Sequence, residues 1–102
     1  MIEYPVLYQR SVESDFEAIA RFITANSTLE HAERYVRKLR QEIDELSHLA
    51  SVLPESRWQI PKYFHPRAKV LHTHNKKWSV IFHMDGGKVI VDRLIPSSLI
   101  ID

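Results

Sequence analysis

The chain has 102 residues, 44% of them hydrophobic, a formal net charge of +1 and no cysteine. Its length fits one domain, residues 1–102, with a modest core of its own, and the missing cysteines exclude disulfides and thiolate metal sites. With no basic-then-apolar leader and no run of eighteen apolar residues, the expectation is a soluble, unprocessed, cytoplasmic protein without a membrane partner.

In chain order, Glu3 to Val12 carries Tyr4, Val6, Leu7 and Tyr8 and is expected to form a strand, with Pro5 at its start or on an unpaired edge. Ser14-Asp15-Phe16-Glu17 has the form of a capping box and opens a short helix whose apolar face is Phe16, Ile19, Ala20 and Ile23, ending near Asn26. From Ser27 to Leu53 the apolar residues Leu29, Ala32, Val36, Leu39, Ile43, Leu46, Ala50 and Leu53 alternate three and four apart, a single helical stripe. Ser27 and Glu30 can box the start of this long helix, and Pro54 stops it. Its stripe fits an intramolecular core or a coiled-coil seam. The two helices follow so closely that they must fold back as an antiparallel hairpin.

After Pro54 the stretch Arg57 to Pro66 mixes aromatics, bases and two prolines and is expected to be a loop. Three β runs follow, Lys69 to His74, Lys77 to Met84 and Lys88 to Ile95, the last two joined by Asp85-Gly86-Gly87, a strong hairpin signal. The order is β-α-α-β-β-β: an α+β domain with the helical hairpin on one face of a mostly antiparallel four-stranded sheet. Alternation puts Trp78, Val80, Phe82 and Met84 against the helices and leaves Ser79, Ile81 and His83 on a face open to water or ligand. In the last strand Val89, Val91 and Arg93 alternate with Ile90, Asp92 and Leu94, so Arg93 or Asp92 must sit at a boundary or be turned outward by a bulge. The apolar tail Leu99-Ile100-Ile101 is expected to dock on the sheet edge or on a second copy, which raises the possibility of a homodimer.

Charge is divided along the chain. Residues 1–55 carry 6 Lys/Arg against 10 Asp/Glu, residues 56–102 carry 8 against 3, and no acid lies between Ser56 and Met84. Arg57, Lys62, Arg67, Lys69, Lys76 and Lys77 fall in the basic half and are candidates to bind nucleic acid, or an acidic peptide; the alternative is a solvated face that pairs with the acidic helices.

The pattern of Asp15-Phe16-Glu17-Ala18-Ile19, Ala32-Glu33-Arg34-Tyr35-Val36, Trp78-Ser79-Val80-Ile81-Phe82 and Val89-Ile90-Val91-Asp92-Arg93-Leu94 resembles the RelE/ParE superfamily of toxins from type II toxin–antitoxin modules of the plasmid-stabilisation kind. The resemblance implies a growth-inhibiting toxin neutralised by a cognate antitoxin whose segment wraps over helices and sheet. RelE-like members cut messenger RNA on the ribosome, with basic residues on the open sheet face and a Tyr or His near the C-terminus; ParE-like members poison DNA gyrase and need no nuclease site. Two departures bear on the choice: Ser79 stands where the RNA-cleaving branch often has Arg, and Pro96 to Asp102 contains no Tyr, His, Lys or Arg. Arg93-Leu94 resembles the closing strand of ParE-like members, although Pro96 stands where their following His would align.

Metal-independent RNA cleavage needs a base, an acid and a cation for the phosphorane charge. His83 and Arg93 are the catalytic candidates, as acid or base and as charge stabiliser; the alternative is a half-exposed strand histidine and an arginine paired with Asp92 or Asp85. His72 and His74 with His83 could form a three-nitrogen zinc site, but no carboxylate is evident behind the imidazoles, and neither a metal nor a cofactor is expected. Trp58, Tyr63 and Phe64 could stack on bases, enter a partner's groove, or pin their loop to the core. A third possibility is a non-toxic binding module with a basic face.

Overall fold

The computed structural model describes residues 3–100. Its elements are β1 (Val6–Tyr8), α1 (Arg10–Asn26), α2 (Leu29–Asp44), α3 (Leu46–Leu49), α4 (Gln59–Phe64), β2 (Lys69–His72), β3 (Trp78–Asp85) and β4 (Lys88–Pro96), with a 3-10 turn over Ser97–Leu99. The sheet order is β1-β4-β3-β2; β1 runs parallel to β4 and the other pairs are antiparallel. Apart from the extra short helices α3 and α4, this is the expected β-α-α-β-β-β order.

The first strand is far shorter than Glu3 to Val12. Gln9 ends it by donating its backbone N–H to Val91, then caps α1 with no side-chain bond. The helix therefore opens at Arg10, one turn before the Ser14 box, because Val12 extends the apolar stripe of Phe16 and Ile19 and all three are buried. In α2 the cap is Thr28, whose hydroxyl accepts the His31 N–H at 3.1 Å, while Ser27 Oγ lies 3.0 Å from the His31 ring. At Glu45 the backbone stays helical but its N–H donates to the Glu42 carbonyl, a tightened turn that separates α2 from α3, and the stripe continues through it: Ala32, Leu39, Ile43, Leu46 and Ala50 are all buried. That burial is intramolecular, so the stripe is core rather than seam.

The rim of the helical hairpin is polar and tied together. Arg40 donates to both Glu13 oxygens, at 2.8 and 3.3 Å, and lies 4.1 Å over the Phe16 ring, while the Tyr8 hydroxyl donates to Asp44 at 3.2 Å. Burial, joined by the Asp44 carboxylate, pushes the Tyr8 phenol well above its ordinary pKa. The hydrogen bond from Arg40 holds the Glu13 carboxyl below its ordinary value.

Gly86 and Gly87 form the two-residue turn between β3 and β4 with φ of +54° and +84°, the left-handed pair that a tight hairpin of this twist requires. Further along, Arg93 opposes Ile81 while Val91 opposes Phe82, leaving Asp92 as the extra residue of a β-bulge. The bulge resolves the conflict seen in the alternation, because Val89, Val91 and Leu94 all face the helices together with Val80 and Phe82.

The opposite face of the sheet is not open. Ile81, Ile95, Ala68 and Ile100 form a second buried cluster there, backed by Trp58, Phe64 and Val70. The segment expected to be a loop supplies this cover: it folds into α4, with Pro61 fully buried in the helix's first turn, where a proline's missing N–H costs nothing. Of the tail, Ile100 docks on this second face and Leu99 is exposed. Ile101, also expected to dock, lies outside the described residues.

Candidate functional site

The bulge at Asp92 builds a histidine cluster. It turns the carboxylate toward β3, where it accepts a hydrogen bond from His83 Nδ1 at 2.7 Å, both side chains being nearly buried at 12% and 9% exposure. The His65 ring, just after α4, stacks on His83 with centroids 3.9 Å apart and planes within 3°. His65 Nδ1 accepts the Arg67 N–H at 3.0 Å, so its own ring proton belongs on Nε2. A carboxylate that fixes an imidazole's tautomer leaves Nε2 of His83 able to take or give a proton. His83 does not line either of the two grooves described below, and His65 stacks on one face of its ring.

Arg93, the other catalytic candidate, is engaged elsewhere. Its Nε and Nη2 each donate to the Asp15 carboxylate at 2.9 Å, and the same carboxylate accepts the Leu94 N–H at 2.9 Å. The guanidinium also lies 5.6 Å over the Phe64 ring, and the Asp15 hydrogen bonds raise its pKa further. Its partner is thus Asp15, neither of the two acids, Asp92 and Asp85, considered from the sequence. Arg93 thereby straps α1 on one sheet face to the cover of the other.

Position 79 is equally committed. Ser79 is fully buried, and its hydroxyl shares hydrogen bonds with Ser97 at 2.7 Å and His72 at 2.8 Å. The three histidines considered for zinc hold separate partners: His72 with Ser79, His74 near Glu42 and Glu45, His83 with Asp92. Among the described residues no three His, Asp or Glu side chains come together to hold a metal ion.

The basic residues differ in their surroundings. Arg67 Nε donates to Glu55 at 2.9 Å, and Lys69 Nζ donates to the Ala50 carbonyl at 2.8 Å. Arg57, Lys62, Lys76 and Lys77 are exposed and have no acidic partner among the described residues. Lys76 sits at the β2–β3 turn with φ +63°, beside Lys77. Arg57 instead borders a cleft with Trp58 and His72.

One broad concavity is mostly apolar. A groove of about 630 Å³ runs between α1, the start of α2 and the ends of β3 and β4, walled by Phe22, Ile23, Tyr35, Trp78, Leu94 and Leu99. Phe22 is 70% exposed, an unusual state for a phenylalanine without a partner. The Trp78 indole donates to the Tyr35 hydroxyl at 2.9 Å, fixing two walls against each other. Sequence reasoning passed over this groove, although Phe22, an aromatic beside Ile23 and off the Phe16, Ile19, Ala20, Ile23 stripe of α1, was a visible signal. It also missed Asp15 as the partner of Arg93, and Asp92 and His65 as the neighbours of His83.

A family model described as the ParE toxin of the type II toxin–antitoxin system parDE matches residues 6–98. Nine chains of known structure match this fold. One, described as a chromosomal ParDE TA system from P. aeruginosa, superposes with a TM-score of 0.77 at 17% identity, covering 92% of this chain and 96% of that one. No curated protein matches it in sequence. Among the described residues no helix is long and apolar enough to cross a membrane.

Proposed function

As the chain belongs to the ParE toxin family of type II toxin–antitoxin systems, we propose that it arrests growth by binding DNA gyrase, without catalysis of its own, and that a cognate antitoxin neutralises it by laying an apolar segment in the groove beside Phe22. The observation that carries the choice of target is the state of the second sheet face. A messenger RNA nuclease of the RelE kind needs that face open and cationic; here its Ile81 and Ile95 are buried under Ile100 and Phe64, and position 79 is a buried serine. Arg93 is held by Asp15, and His83 lies beneath His65. Inserting a substrate phosphate would mean breaking both arrangements.

Antitoxin docking is supported by the groove's composition: exposed Phe22 and Leu99 flank buried Leu94, which favours an amphipathic segment presenting large apolar side chains. Action on gyrase would take place in the cytoplasm.

The test is to induce the chain alone in a bacterium and follow labelled thymidine and labelled amino acid over the first minutes, alongside supercoiling by purified gyrase. Early loss of thymidine incorporation with inhibited supercoiling is expected, and His83→Gln should retain both. Early loss of protein synthesis, with transcripts cut at codon-spaced positions and activity abolished by His83→Gln, would replace the gyrase reading with the nuclease one. No growth effect would leave a non-toxic binding module.

A further inference from the structure

The helix α4 has a side that the fold does not use. Pro61 is fully buried, and Phe64 packs with Trp58 into the second cluster. The outward side carries Tyr63, 86% exposed, and Ile60, more than one third exposed, on the border of a shallow depression of about 350 Å³. The Tyr63 ring stands edge-on against Phe64 at 5.3 Å and 90°, so it is braced without being covered. A braced aromatic loses little conformational entropy on binding, which is why tyrosine is favoured as an interface anchor.

The charge around this side has one sign. Arg57 precedes α4 and Lys62 lies on it, both exposed and unpaired among the described residues, whereas Arg67 beyond it is neutralised by Glu55. No acid occurs from Ser56 to Met84. We propose that α4 is the surface with which the toxin grips its target: Tyr63 and Ile60 enter an apolar pocket on a partner protein whose acidic rim faces Arg57 and Lys62. This rests on the reading of a protein target. It adds where contact is made and what chemistry the partner must present.

A single-stranded nucleic acid is disfavoured as the occupant. Base stacking calls for successive open aromatic faces along a continuous cationic track. Here, the second ring, Phe64, is packed inward, an aliphatic Ile60 takes the neighbouring place, and Arg67 is already paired. The patch is also separate from the antitoxin groove, since α4 covers the sheet face turned away from α1 and α2.

The experiment uses the full chain and the variants Tyr63→Ala, Ile60→Ala/Tyr63→Ala and Lys62→Glu, each checked for an unchanged circular dichroism spectrum and melting temperature. Tyr63→Ala should raise the concentration for half-maximal inhibition of gyrase supercoiling by about 30-fold, the scale of truncating an interface anchor. Lys62→Glu should raise it by a smaller factor that shrinks as salt is added. Equal inhibition by wild type and Tyr63→Ala overturns the surface and leaves the gyrase reading intact. Should the wild type be toxic yet leave gyrase untouched, loss of toxicity in Tyr63→Ala supports the surface while the gyrase reading fails; retained toxicity overturns both. Binding of a single-stranded RNA oligonucleotide at physiological salt, lost in Tyr63→Ala, would overturn the assignment to a protein partner.

Discussion

The two faces of this sheet are built from alternate residues of the same strands and are closed in opposite ways. Val80 and Phe82 of β3 look toward α1 and α2, whose regular stripes bury them in an all-apolar core. Ser79, Ile81 and His83 look toward a proline-rich segment and the last turn of the chain, which form a thinner cover with polar side chains in it. Those polar groups are tolerated because each has a partner: Ser97 and His72 for Ser79, Asp92 for His83. Among the described residues no buried side-chain nitrogen or oxygen lacks one. A face closed by periodic helices needs only apolar matching, whereas a face closed by irregular chain depends on specific pairings, and such pairings leave little of it available for chemistry.

If that contrast is right, truncation on the helix face should cost most. Phe82→Ala removes the largest fully buried side chain and should destabilise by about 4 kcal/mol in urea unfolding. Ile100→Ala, in the smaller cluster of the second face, should cost about 2.5 kcal/mol. Equal costs would mean that the two faces are equally packed and would dissolve the comparison. Asp15→Ala cuts the strap between the faces, frees Arg93 and leaves the Leu94 N–H unpaired; about 2 kcal/mol should be lost, and exchange of the Leu94 amide should accelerate.

The smallest effect is one of pH, at the rim of the helix face. Burial and Asp44 raise the Tyr8 pKa in the folded state, so the native chain holds that proton more tightly than the unfolded one. The stabilising contribution is complete below about pH 10 and is lost as pH rises beyond it. Tyr8→Phe should cost under about 1 kcal/mol at neutral pH and flatten the alkaline decline, as measured by melting temperature against pH. Glu13 has the opposite sign: its depressed pKa means that its pairing with Arg40 contributes at neutral pH and is lost as pH falls through the carboxylate range. A flat alkaline limb in the wild type would sink the assignment for Tyr8.

Much of this was legible in residues near one another. The α2 stripe, the Gly86-Gly87 turn, the side of β3 that meets the helices and the need for a bulge near Asp92 all follow from spacing within a few residues, because periodicity and turn stereochemistry are local. The resemblance carried in the same segments gave the family. The start of α1 was legible in part: Val12 continued the stripe, but the Ser14 box drew attention one turn too far along.

The candidate site was less legible, and His83 shows why. Alternation gave its face correctly and said nothing of what lies over it, since a strand's pattern reports polarity and not the identity of the next layer. Arg93 is the same case at longer range: its partner Asp15 is 78 residues away, and two nearer acids looked equally able to pair with it.

By itself, then, the sequence determined the order of elements, the core-facing stripes, the hairpin turn and the family, each a consequence of covalent neighbours and side-chain periodicity. The tertiary structure alone decided that the second face is closed, that His83 answers to Asp92 and His65, that Arg93 straps to Asp15, and that an apolar groove opens beside Phe22 while Tyr63 stands clear. Those outcomes depend on where distant segments meet, and the meeting is set by the total burial and pairing of the whole chain, a sum to which no single stretch holds the terms.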